Sequence, residues 1–136
     1  MPGVPAGPGQ LASEEPTRRT RYRRRVTQGR TGTERARVLA DPASFDEIAD
    51  PALRRVLRAY LVRGAMPVIP RGGAKRSLLL AYLATAFEPG VRYSEPEVNS
   101  IVGVWHPDVA ALRRYLVDEG LLARQDSVYW RCGGFL

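Results

Sequence analysis

Between Arg92 and Arg131 the chain carries a run of caps, breakers and turns that few folds can satisfy. Ser94-Glu95-Pro96-Glu97 reads as a capping box. The Ser94 side chain takes an otherwise orphaned helix N–H, Glu97 reaches back to the cap, and Pro96 fits the first turn. Val98, Ile101 and Val102 then recur at helical spacing, with Trp105 anchoring the turn that follows. Pro107 disfavours helical geometry at His106, so the chain bends there. Asp108, or His106 with Pro107 in the first turn, caps a further helix over roughly Asp108 to Glu119, and Gly120 stops it. Leu121 to Arg124 and Val128 to Arg131 alternate around Gln125-Asp126-Ser127, which predicts a tight hairpin. Two short helices across a turn, followed by a hairpin, predict a winged helix-turn-helix: a mainly α fold with a small antiparallel β-hairpin.

The faces of these elements name the candidate contacts. At about 100° per residue, Val109, Leu112 and Leu116 form the buried stripe of the helix. Ala111, Arg114 and Asp118 lie opposite, flanked by Tyr115. Arg113 sits near the stripe and is expected to lay its stem along apolar surface. In the hairpin, Val128 and Trp130 are expected to close the core, with Tyr129, Arg124 and Arg131 toward solvent. A helix in this position often enters the DNA major groove, which makes Arg114 and Tyr115, with Arg113 beside them, candidate double-stranded DNA contacts. Arg124 and Arg131 are the candidate phosphate contacts of the hairpin. A competing expectation is a protein-interaction or dimerisation module that joins a second copy or another regulator. A base-reading helix usually shows more donors and fewer acids than this one, and Arg114 and Asp118 are spaced to pair with each other.

Upstream, the ordered domain is expected over residues 43–136, with Phe45 and Ile48 at the edge of its core. Asp50-Pro51 is a helix start, and Leu53, Val56, Leu57, Tyr60 and Leu61 follow at helical spacing until Gly64. Ala65 to Pro70 is short, partly β-branched and bounded by proline, which predicts a brief edge strand. Ala74 to Phe87 is the most apolar segment and is expected to be the central helix, packed from more than one side. The glycines and Lys75 before it lack the spacing of a phosphate loop.

Residues 1–42 read as a disordered, arginine-rich tail. The net charge of +7 is concentrated there: this segment holds nine arginines against four acids, whereas residues 43–136 are close to neutral at +2. Arg23, Arg24 and Arg25, in the densest part, are candidate phosphate contacts, with Tyr22 able to stack on a base.

Other functional classes find little support. No apolar run approaches the roughly 20 residues that a membrane-spanning helix needs. The N-terminus lacks the apolar central block of a secretory signal. Cys132 is the sole cysteine and His106 the sole histidine. They fall in separate elements, and no Cys/His cluster has metal-ligand spacing. No cofactor, metal or membrane partner is expected, the sequence makes no case for an enzyme, and a reducing cytoplasm fits best.

The residues from Phe87 to Arg131 also carry a specific pattern. It runs from Arg92-Tyr93 and the capping box, through Trp105-His106-Pro107-Asp108 and Leu112-Arg113-Arg114-Tyr115-Leu116-Val117-Asp118, to Tyr129-Trp130-Arg131. In this the chain resembles the bacterial domain of unknown function 2087 family, over roughly residues 52 to 133. The resemblance implies a winged-helix module of the kind often attached to the N-terminal helix-turn-helix of a transcriptional regulator. Here an arginine-rich segment precedes the domain instead. The resemblance implies association with regulators and brings no ligand or activity.

Overall fold

In the computed structural model the structure describes residues 31–133, within a compact unit spanning Thr31–Leu136. Six helices and three short strands follow one another as α1 (Gly32–Ala40), α2 (Pro42–Phe45), α3 (Pro51–Tyr60), α4 (Gly73–Ala84), β1 (Arg92–Ser94), α5 (Glu95–Val102), α6 (Val109–Asp118), β2 (Leu122–Gln125) and β3 (Val128–Arg131). The fold is therefore mixed α and β. The hairpin is part of a three-stranded antiparallel sheet, in the order β1-β3-β2. Strand β1 pairs Tyr93 with Tyr129, and β2 pairs Gln125 with Val128 across a two-residue turn.

Local chemistry sets most helix boundaries. Ser94 and Glu97 form the reciprocal capping box at α5. Asp50 caps α3 through the Ala52 N–H at 2.9 Å, with Pro51 in the first turn. Asp108 caps α6 through the Ala111 N–H at 3.1 Å, and His106 Nδ1 accepts from the Asp108 N–H at 3.0 Å. Each cap satisfies a donor that the first turn cannot satisfy itself. Helix α4 is the core helix, with Leu79, Leu80, Tyr82, Leu83 and Ala84 buried. Burying a leucine is worth roughly 1.5–3 kcal/mol, so this helix contributes heavily to stability.

Three expectations change. The ordered region begins earlier than residue 43: α1 occupies positions read as the end of the tail, and α2 begins at the last of them. Thr31 and Glu34 form a second capping box, and Ala36 and Ala40 are buried. Small residues let this helix pack closely, and a Cβ built on Gly32 would stand 2.5 Å from the Ile101 side chain. Buried alanines give almost no periodic signal among the arginines that surround them. The rest of the expected tail, residues 1–30, lies outside the described residues.

Ala65 to Pro70 is not a strand. Val62 and Ala65 form an isolated bridge across a tight turn, and the Met66 N–H donates to the Trp105 carbonyl at 2.6 Å. Met66 is buried while Val68 is exposed, so the segment anchors through one side chain and one hydrogen bond instead of a strand ladder.

The hairpin presents the other face inward. Tyr129 is 2% exposed and Val128 37%. As the central strand, β3 sets Tyr129 opposite Tyr93, whose ring packs edge-on against Phe87 at 5.1 Å. The Tyr129 hydroxyl donates to Glu95 at 3.2 Å. Trp130 is only partly buried on the opposite face, with the Arg92 guanidinium 4.5 Å over its ring. Both faces carry aromatic residues, so alternation alone could not say which one meets the core.

Candidate nucleic-acid interface

Helix α6 presents its side chains according to the packing beneath it. Leu112 and Leu116 are fully buried, and Val109 is partly so. Ala111, expected on the outer face, is buried at 7% exposure. The buried stripe is wider than the sequence suggested because α4 as well as α5 packs on this helix. Arg114 is exposed, as its position opposite Leu112 and Leu116 requires.

The arginines of this region divide into committed and available groups. Arg113 is committed: it donates to the Asn99 side-chain oxygen and lies 3.7 Å from the Glu95 carboxylate, with most of its side chain covered. It therefore ties α6 to α5. Arg131 is committed as well. Its guanidinium donates to the Gly133 carbonyl at 3.1 Å and the Phe87 carbonyl at 3.3 Å, and Nη2 is buried. Its position on the inward face of β3 explains this, and solvent is not where the side chain goes.

Arg114 and Arg124 are the exposed members. Arg114 lies with its guanidinium 5.2 Å from the Tyr115 ring centroid, a cation–π placement instead of the pairing with Asp118 that the spacing allowed. Arg124 donates to the Asp126 carbonyl at 2.7 Å, which fixes it beside the hairpin turn. Asp126 adopts φ 57 there, a left-handed conformation that aspartate tolerates better than most residues.

Tyr115 is partly buried and held by a partner that sequence reasoning missed. The Arg76 guanidinium stands 4.1 Å from its ring centroid. Arg76 also lies 3.5 Å from Glu119 and donates to the Arg71 carbonyl at 2.9 Å. The stack joins α4 to α6 and withdraws part of the Tyr115 ring from any ligand. Nothing in the spacing of residues 76 and 115 signals it, because the contact exists only once the two helices pack.

Of the predicted contact residues, the structure leaves Arg114 and Arg124 accessible, holds Tyr115 in a stack, and employs Arg113 and Arg131 internally. Arg23, Arg24 and Arg25 lie outside the described residues. Among the described residues no cluster of His, Cys, Asp and Glu could hold a metal ion, and no helix is long and apolar enough to cross a membrane.

Comparison with known proteins adds a family and no activity. No curated protein and no solved structure matches the chain. Residues 65–131, from the turn before α4 to the end of β3, match the family described as an uncharacterized protein conserved in bacteria (DUF2087), and over this segment the chain resembles that family.

Proposed function

We propose that the protein is a DNA-binding, transcription-regulatory module of the winged-helix type. The observation that carries this reading is the exposure of Arg114 on α6, the second helix across the turn, with Arg124 fixed at the tip of the adjoining hairpin. Two helices across a turn, α5 and α6, followed by the β2–β3 hairpin, support the reading. In this account Arg114 contacts DNA from α6, Arg124 contacts a backbone phosphate, and the arginines of residues 18–30 add affinity that does not depend on sequence.

The test is a salt titration of binding to duplex DNA by the full chain. Arg114→Glu is expected to abolish binding at moderate salt. Removal of residues 1–30, if they make about six phosphate contacts, is expected to lower the log–log salt slope by about five. Absence of binding at low salt, or full binding by Arg114→Glu, would overturn the proposal.

A second reading is a protein-interaction or dimerisation module. It is favoured by the internal commitment of Arg113 and Arg131, which leaves α6 with few free donors. Sedimentation of the full chain separates the two: a stable dimer that covers Arg114 is incompatible with groove insertion by α6.

A further inference from the structure

Away from the outer face of α6, an open groove of about 850 Å³ is lined by α1, the Asp41-Pro42 step, the Val62–Ala65 turn and the corner after α5. Its volume falls in the range of small-molecule sites, roughly 300–1,000 Å³. Arg37 and Arg63 both line it, together with the hydroxyl-bearing Thr33 and Ser100. Both arginines are exposed, and among the described residues neither makes an ion pair or hydrogen bond. Arg55 and Arg71 are likewise exposed, but only Arg37 and Arg63 line this groove.

Arg63 is also held in an unusual backbone. It has φ 54 and the following Gly64 has φ 83. The turn is closed by the Val62 N–H to the Ala65 carbonyl at 2.7 Å and by the reverse bond at 3.1 Å. Asparagine, aspartate or glycine ordinarily occupies the first of two such left-handed positions, because other side chains are strained there. An arginine in that place has its backbone fixed at the groove edge, and a strained position of this kind is a pointer to function.

The lining also includes a carboxylate, at the C-terminal end of α1. Asp41 caps α2, its Oδ1 accepting from the Ala43 N–H at 2.9 Å, which leaves Oδ2 to accept from a ligand hydroxyl. Two unpaired guanidiniums and a carboxylate lining one groove suit a molecule with an anionic end and a hydroxylated end. A duplex backbone, anionic throughout, fits this mixed wall poorly.

We propose that the groove binds a small hydroxylated organic phosphate of the sugar-phosphate class. Arg37 and Arg63 hold the phosphate, Thr33 and Ser100 add hydroxyl donors, and Asp41 accepts from the sugar. This site is independent of the α6 surface and does not rest on the DNA-binding reading.

Calorimetric titration of the full chain at about 150 mM salt tests it, with ribose 5-phosphate, inorganic phosphate and ribose as probes, since screening at that salt suppresses loose attraction to the arginine-rich segment. Ribose 5-phosphate is expected to bind saturably at one site and more tightly than either fragment. Arg63→Gly and Arg37→Gln are each expected to weaken it by about tenfold or more. Arg63→Gly suits the turn and is expected to keep the melting temperature, so lost binding there is not lost folding. Replacing Arg24 and Arg25 by glutamine is expected to leave the affinity unchanged. The proposal is overturned if ribose 5-phosphate does not saturate, or binds no better than inorganic phosphate. Equal affinity in Arg63→Gly and Arg37→Gln, with or without a loss in the Arg24/Arg25 variant, overturns it too.

Discussion

The indole Nε1–H of Trp105 donates to the backbone carbonyl of Ala36 at 3.0 Å, inside the core. This bond fastens α1 to the turn that leads into α6, and Trp105 is among the largest fully buried side chains. Trp105→Phe removes the indole's bond to this helix carbonyl and reduces ring volume in the core. A loss of roughly 2–4 kcal/mol is expected in urea unfolding. A change within error would mean that α1 is not held by this bond.

Tyr93 gives a pH-dependent readout. Its hydroxyl accepts from the Glu88 N–H at 2.8 Å and from Arg35 at 3.5 Å, and burial pushes its pKa above the ordinary value of 10.0, these hydrogen bonds opposing the shift. The Tyr82 hydroxyl is raised by burial too, against a lowering contact from Ser44. The folded protein holds these protons more tightly than the unfolded chain does. Their contribution is therefore complete below about pH 10 and is lost as pH rises through the folded values. Stability is expected to fall above pH 10, and to fall less steeply in Tyr93→Phe. A spectrophotometric titration in which all tyrosines ionise together near 10 would contradict this.

Arg113 and Arg114 are neighbours with opposite expected behaviour. Arg113→Ala breaks the link from α6 to Asn99 and Glu95 and is expected to cost about 1–2 kcal/mol. Arg114→Ala removes an exposed side chain and is expected to change stability by less than about 0.5 kcal/mol. Thermal unfolding of both variants decides the matter, and equal losses would mean that Arg114 is also structural.

Gly103 ends α5 where a side chain has no room. A Cβ there would stand 2.7 Å from the Asn99 carbonyl oxygen and 3.4 Å from Val109. Gly103→Ala is expected to lower stability by about 1–3 kcal/mol in denaturant unfolding, because the backbone of α5 or the start of α6 must shift. An unchanged midpoint would show that the corner is looser than its packing implies.

Much of the fold was legible because its signals are local. Ser94 and Glu97, Asp50 and Pro51, and Asp108 and Gly120 act within a few residues of themselves, and all of them delimit the helices expected of them. The outward place of Arg114 followed from 3.6-residue periodicity alone. The start of the ordered region did not follow, although Thr31 and Glu34 have the spacing of the Ser94 box. Its helix is anchored by Ala36, Ala40 and a carbonyl bond to Trp105, and none of these has a sequence signature.

The candidate site was less legible for a related reason. Arg76 and Tyr115, Arg131 and Phe87, and Arg113 and Glu95 meet only after elements distant in the chain have packed. Sequence by itself determined where helices begin and end and which side of α6 is apolar, since caps, breakers and periodicity act over a few residues. Tertiary structure alone decided that Tyr129 faces the core while Trp130 does not, and which arginines stay accessible. Two faces of one strand can be equally apolar, and only β1, Phe87 and α5 distinguish them. An arginine is free or spent according to carbonyls and carboxylates contributed from elsewhere in the chain.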